Sequence, residues 1–292
     1  MYKAISVNKR NTVIIMIVFL LIIAGLGALA GAAYNDPTIT IAVIVIASIY
    51  AFVQYFAASR IAISVNGGQE IQKKDNPELY RAVENLSITT GLPMPRVFII
   101  DDPAPNAFAT GRNPKHAMLA VTTGLLQIMN KRELEAILSH EMSHIKNYDI
   151  LVSMIVFGLV SAIGMIADVF LRITFFSRNN SDNNNNQLMM FFGIIAMAIA
   201  PIVATCVQLA INRQREYLAD ATGAMTTRDS EGLIMALEKL KTSGKPMQRQ
   251  NSSTAHLFFS NPMKAGFLSK IFSTHPPLED RIARLSKNAN RM

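Results

Sequence analysis

Four long apolar stretches alternate with polar segments along the chain. Residues 11–33 and 38–59 carry no charge. A third stretch covers about 150–176, with Asp168 and Arg172 in its last part, and a fourth covers about 188–211 and contains Pro201. Each has the roughly 20 residues that a membrane-spanning helix needs. The pattern predicts two transmembrane hairpins, 11–59 and 150–212. The last two stretches would also suit a hairpin partly held in protein. The first run exceeds the h-region of a signal peptide, which favours a retained span, although Ala30-Gly31-Ala32 has the composition of a cleavage site.

The polar segments follow other periods. Leu79, Ala82, Val83 and Leu86 recur at helical spacing after Asn76-Pro77, a cap followed by a first-turn proline, and before Gly91-Leu92-Pro93. This predicts a helix over 76–90. Short β-rich runs at 96–100, 106–110 and 118–122 predict a small sheet, with Gly111-Arg112-Asn113-Pro114 as a turn. A further helix starts at Asn130, where Glu133 stands three positions on, as in a capping box. The Asn-rich segment 179–187 reads as a flexible loop without chemistry.

The expected fold is mainly α: an integral membrane protein with four spans and an α+β domain. Residues 1–10 form a tail. Residues 60–149 and 213–292 together form the domain, since the two segments of roughly 90 and 80 residues suffice for one core.

Composition agrees with a mixed membrane and aqueous chain: 50% hydrophobic, 16% charged, mean hydropathy +0.26. Charge sets the orientation. Lys3, Lys9 and Arg10 precede the first span, Arg60, Lys73 and Lys74 follow the second, and Arg213 and Arg215 follow the fourth. The loop between the first two spans holds only Asp36. The positive-inside rule then puts both termini and the domain in the cytoplasm. The net charge of +8 suits contact with anionic lipid, so the bilayer is an expected partner. No basic patch interleaves with aromatics, which argues against nucleic acid. The single cysteine, Cys206, lies in the fourth span, which excludes an intrachain disulfide or a cysteine metal cluster.

The chemistry concentrates at His140-Glu141-Met142-Ser143-His144. Residues four apart share a helical face, so the two histidines can hold one metal ion, with Glu141 beside it to work on a water. A catalytic zinc needs a third protein ligand and an open position. Glu216 and Asp220 are also four apart, directly after the fourth span. One can ligate the metal while the other accepts the free N–H of a ligand histidine. The His140–His144 helix is expected to run on into the third span at about residue 150, placing the metal roughly 10 Å from the membrane at about 1.5 Å per residue. His116 and His256 have no partner pattern and read as ordinary histidines. His275 lies beside Pro276-Pro277, whose rigid turn could aim it. Asp168 and Arg172 most simply pair with each other.

These residues resemble the HtpX heat-shock membrane proteases, relatives of the CAAX prenyl proteases among the gluzincins. The resemblance covers essentially the whole chain. It rests on His140 to Asn147, on Arg215-Glu216-Tyr217-Leu218-Ala219-Asp220, on Asn106-Ala107-Phe108-Ala109, and on Thr274-His275-Pro276-Pro277-Leu278. It implies one zinc per chain on His140, His144 and Glu216, Glu141 as general base, and Asp220 behind a ligand histidine. His275 would stabilise an oxyanion, with Arg281 as a supporting charge. Asn106, Ala107, Phe108 and Ala109 would bind the substrate backbone by strand addition. The implied role is cleavage of misfolded or damaged membrane proteins at the cytoplasmic face of a bacterial inner membrane.

Rival readings fit less well. An intramembrane protease would bury HExxH within a span, yet charged residues flank it here. A prenyl-peptide protease would need a larger helical chamber than four spans provide. A non-catalytic scaffold has no need of Glu141 and Glu216. A transporter would want ionisable groups or broken helices at mid-membrane, and only Pro201 hints at that.

Overall fold

In a computed structural model the described residues are 2–34, 36–159, 213–243, 245–249, 254, 257–260 and 276–289. Helices α1 (Tyr2–Tyr34) and α2 (Pro37–Val65) form the first hairpin. Both outlast the apolar runs, because helical hydrogen bonding does not stop where hydrophobicity does. Asp36 starts α2 by accepting from Thr38 N at 2.9 Å, with Pro37 in the first turn. Each helix contains a segment long and apolar enough to cross a membrane, Ile5–Gly25 and Thr40–Val65. Val13, Ile17, Leu21, Ile46, Phe52 and Phe56 are among the apolar side chains these two helices leave exposed.

The strands are β1 (Gly68–Glu70), β2 (Arg96–Ile100), β3 (Ala107–Thr110) and β4 (Met118–Thr122). They form one mixed sheet in the order β1-β2-β4-β3, with β2 and β4 parallel and the other pairs antiparallel. The expected strands are present, except that the second of them, β3, begins at Ala107 rather than Asn106. Strand β1 escapes sequence reading because three residues of GQE carry no alternation.

Strand alternation sends side chains to two cores. Val97, Ala107, Ala109, Leu119 and Val121 face α3 (Pro77–Thr90), α5 (Lys131–Lys146) and the helix α8 (Ser230–Ser243). Phe98, Ile100, Phe108, Met118 and Ala120 face Ile15 of α1, Ala58 and Ala62 of α2, and the apolar helix α6 (Asp149–Leu159). The sheet is thus buried on both faces and joins the helices of the first core to the α1–α2 hairpin. Short α4 (Thr123–Ile128) links β4 to α5. Helices α7 (Arg213–Thr227) and α9 (Leu278–Ala289), with a short 3-10 turn at Pro114–His116, complete the described elements.

Two helix starts match their sequence signals. Asn76 caps α3, which ends at Gly91 in the left-handed region. Asn130 caps α5, with both halves of the capping box formed. The expected continuous helix from His140 into the membrane is not found. Helix α5 stops at Lys146, Tyr148 takes φ 61, and α6 starts afresh at Asp149. The rest of the third span, the Asn-rich loop, the fourth span, Cys206, His256 and His275 lie outside the described residues.

Candidate metal centre

His140 and His144 stand one turn apart on α5, and Glu216 faces them from the first turn of α7. His140 Nε2 lies 3.1 Å from His144 Nε2 and 3.6 Å from Glu216 Oε2. His144 Nε2 lies 3.7 Å from Glu216 Oε1. Ligands held at about 2.0–2.1 Å around a tetrahedral zinc stand about 3.3 Å apart. The two Nε2 atoms and the two oxygens of the Glu216 carboxylate, each nearest a different imidazole, are thus spaced within a few tenths of an ångström of what such a tetrahedron needs.

The hydrogen bonds behind the imidazoles point the same way. His140 Nδ1 contacts Asp220 Oδ1 at 2.9 Å, and His144 Nδ1 contacts Asp149 Oδ2 at 2.9 Å. A carboxylate only accepts, so each Nδ1 carries the proton and each Nε2 presents a lone pair inward. Arg281 Nη2 is also near His140 Nδ1, but at 3.4 Å it is the longer contact. Two lone pairs and a carboxylate then face one another, an arrangement that suits a cation. The local field agrees. Burial pushes the His144 imidazole down, but the Glu216, Asp149 and Glu141 carboxylates outweigh it and raise its pKa to about 9, so without a metal a proton on Nε2 supplies the positive charge that a bound cation would bring. The donor set of two imidazoles and one carboxylate, with its N/O chemistry and spacing, fits zinc.

Several contacts hold these side chains in place. Ser139 Oγ donates to Gly223 O at 3.0 Å, locking α5 to α7. A Cβ on Gly223 would come 3.1 Å from His140 N, so only a glycine permits this approach without displacement. Glu216 and Asp220 lie on the same α7 and are brought up by it. Arg281 of α9 is fully buried and grips Asp220 with two bonds, Nε–Oδ2 at 2.9 Å and Nη2–Oδ1 at 2.6 Å. Burial pushes the Asp220 carboxyl up, but Arg281 and His140 outweigh it and hold it well below the usual carboxylate range. The Arg281 guanidinium also lies over the Phe259 ring at 4.4 Å, and that ring packs edge-on against His140.

On the His144 side, Asp149 accepts from Asn8 Nδ2 at 2.6 Å, and Arg215 Nη1 approaches it at 3.7 Å. Asn8 also donates to Asn147 O at 2.9 Å and is 4% exposed. The first long apolar helix, α1, therefore reaches the support of His144 directly.

Sequence reading assigned Asp220 to a ligand histidine but passed over Asp149, Asn8 and Gly223. On a continuous helix, Asp149 would lie roughly 140° around from His144, at 100° per residue. Only the break at Tyr148 turns it back. Asn8 left no signal, being 139 residues from Asn147 in sequence. His116 bonds within its own turn to Asn113 Oδ1 and takes no part here.

Glu141 is buried, and its Oε2 accepts from Ala109 N of β3 at 2.8 Å. The outer side of β3 is otherwise engaged by the chain itself. Phe259 N donates to Ala107 O at 2.8 Å, while Asn106 and Ser260 exchange two bonds, Nδ2 to O at 2.7 Å and N to Oδ1 at 3.0 Å. Phe108 points away from this edge, onto Phe258 at 4.7 Å.

Comparison with known proteins agrees with this chemistry. A family description, "Peptidase family M48", matches residues 73–289. A "Protease HtpX homolog" of Tropheryma whipplei (strain TW08/27) is 52% identical over 293 residues, covering 100% of this chain and 99% of its own. A "Protease HtpX homolog" of Streptococcus gordonii is 43% identical over 296 residues, covering 98% and 99%. The crystal structure of S. mikatae Ste24p shares the fold with TM-score 0.51 at 19% identity, over 93% of this chain and 62% of that one. This chain belongs to peptidase family M48 and is a membrane metallopeptidase.

Proposed function

We propose that the chain is a zinc-dependent endopeptidase of four membrane spans. In this reading it sits in a bacterial inner membrane with both termini and the domain cytoplasmic. There it cleaves misfolded or damaged membrane proteins. The observation that carries the chemical part is the inward-facing set His140, His144 and Glu216, with Glu141 in the next position of the same helix.

Bound zinc would supply Lewis acidity to the scissile carbonyl and lower the pKa of a water toward roughly 7. Asp220 and Asp149 keep the two Nε2 lone pairs aimed at the ion. Glu141 holds one carboxylate oxygen on Ala109 N, which leaves Oε1 to take a proton from the attacking water. The same oxygen then returns the proton to the leaving amine. His275 would assist the developing oxyanion.

The substrate backbone would run along Asn106 to Ala109, and Glu141 is tied to that strand through Ala109. A strand added there has to displace the Phe259 and Ser260 contacts with Ala107 and Asn106. An extended substrate is what such an edge accepts, which supports unfolded chains as the substrate class.

Glu141→Gln tests the chemistry. The variant should keep about one zinc per chain and lose cleavage of an unfolded protein in detergent. Retained cleavage would overturn the mechanism. Equal cleavage of folded and unfolded forms of one membrane-anchored substrate would overturn the substrate class.

A further inference from the structure

A cavity of ≈ 530 Å³ opens where α2 meets the β1 side of the sheet. Its charged walls are Arg60, Arg96 and Arg249, with Ser64 and Gln69 between them. Arg96 is neutralised by Glu70, through Nε–Oε1 at 2.7 Å and Nη2–Oε2 at 2.5 Å. Among the described residues no carboxylate pairs with Arg60 or Arg249, so two full positive charges remain. The C-terminus of α2 opposes them with only about half a charge.

The cavity is built rather than incidental. Gly67 takes φ +74, and a Cβ there would collide with Arg249 Nη1, so the guanidinium lies directly on the turn after α2. The segment carrying Arg249 is fixed from the other side, since Gln248 N donates to Asp102 Oδ2 at 2.8 Å and Met247 is buried.

Depth identifies the ligand. A hydrocarbon core of about 30 Å takes about 20 residues of helix. Counted from Thr40, where the apolar segment of α2 starts, it ends beside Arg60, the first charge of α2. The remaining turn and a half to Val65 rises about 7.5 Å, the thickness of a head-group layer. The cavity therefore opens among lipid head groups, and the metal centre adjoins β3 at the opposite edge of the same sheet.

We infer that this cavity binds the phosphate of an anionic glycerophospholipid between Arg60 and Arg249. Ser64 and Gln69 are placed to meet a polar head group. The inference takes α2 as a membrane span and is independent of the peptidase chemistry.

Native mass spectrometry of the delipidated full-length chain in detergent tests it, with phosphatidylglycerol and phosphatidylcholine as probes. Phosphatidylglycerol should bind more tightly than phosphatidylcholine. Arg249→Gln should weaken it about fivefold, and the double variant R60Q/R249Q roughly 30-fold. The charge-matched K115Q/K287Q, altered at two exposed lysines elsewhere, should bind like the parent. An unchanged melting temperature in each variant serves as the check on folding, and Arg249→Gln alone suffices if the double variant fails it. Equal binding of the two lipids, or equal loss in K115Q/K287Q, would overturn the site. Displacement of phosphatidylglycerol by inorganic phosphate at equal concentration would overturn its assignment to lipid in favour of a soluble phosphate.

Discussion

The two ends of α5 carry charged networks of opposite character. At the N-terminal end, Arg132 reaches Asp229 and Glu231 across the surface, and Lys239 meets Glu133 of the capping box at 2.6 Å. Most of these groups are half-open to water, and their bonds run outward to α8 and to Asp229 just before it. At the C-terminal end, Asp220, Arg281, Asp149, Asn8 and Glu141 are all buried, and all bear on His140 and His144. Exposed ion pairs gain little, because water screens them and long side chains lose freedom. Buried charges are costly unless fully partnered. Here four buried charges, with Asn8 beside them, converge on two imidazoles, an arrangement that suits a cation between them. Charge count would rank the two ends alike, whereas burial and convergence separate them.

That contrast can be broken by substitution. The largest effect is expected from Glu216→Gln at the buried end, which removes a direct ligand. Zinc affinity, measured by chelator competition, should fall by more than the roughly 10–100-fold typical of an outer partner. Zinc held at unchanged affinity would refute the assignment of the third ligand.

Asp220→Asn and Asp149→Asn should each lower zinc affinity by about 10–100-fold, yet they should differ in stability. Asp220→Asn leaves Arg281 buried without its carboxylate, a loss on the order of 3–5 kcal/mol in chemical denaturation. Asp149→Asn strands no fully buried cation, since Arg215 is partly exposed. Equal destabilisation would show that Arg281 does not depend on Asp220.

Asn8→Ala should weaken zinc binding less than Asp149→Asn does. It removes one hydrogen bond to a charged group, of about 1.5–3 kcal/mol, and leaves the carboxylate in place. No change in zinc affinity would mean that α1 does not position the site.

The exposed end should give the smallest response. Arg132→Ala should leave zinc affinity unaltered and shift the melting temperature least of these variants. Its partner Asp229 has a carboxyl held below its ordinary value, chiefly by the Arg132 hydrogen bond. A lowered folded pKa contributes stability above the unfolded value of about 3.9, and that contribution disappears as pH falls through the folded one. Asp229→Asn should therefore flatten the stability profile below about pH 4 and nowhere else. A flattening near neutral pH would tie this surface pair to the buried end.

The sequence gives good access to features governed by near neighbours. The caps at Asn76 and Asn130, the three strands at 96–100, 107–110 and 118–122, and the first two apolar helices follow from local preference and period. Spacing i, i+4 likewise announced the pairs His140 with His144 and Glu216 with Asp220, because one helical turn brings such residues to one face. The break between α5 and α6 was not legible. Tyr148 at φ 61 is no usual stop signal, and the polar residues around it, Lys146, Asn147 and Asp149, read equally as the edge of a span on an unbroken helix. Strand β1 and the Arg249 contact with Gly67 were hidden for a related reason, since each is defined by a partner distant in sequence.

By itself, then, the sequence determined the two long apolar helices, the local elements and the residue types of the candidate site, all consequences of periodicity and residue chemistry within a turn or two. Tertiary structure decided which carboxylate serves which histidine: Asp220 behind His140 and Asp149 behind His144. It also brought α1 to Asp149 through Asn8 and α9 to Asp220 through Arg281. Those pairings depend on the break after α5 and on helices that pack across more than 60 residues of sequence. No local period records such distances; the burial of the sheet between its two cores fixes them.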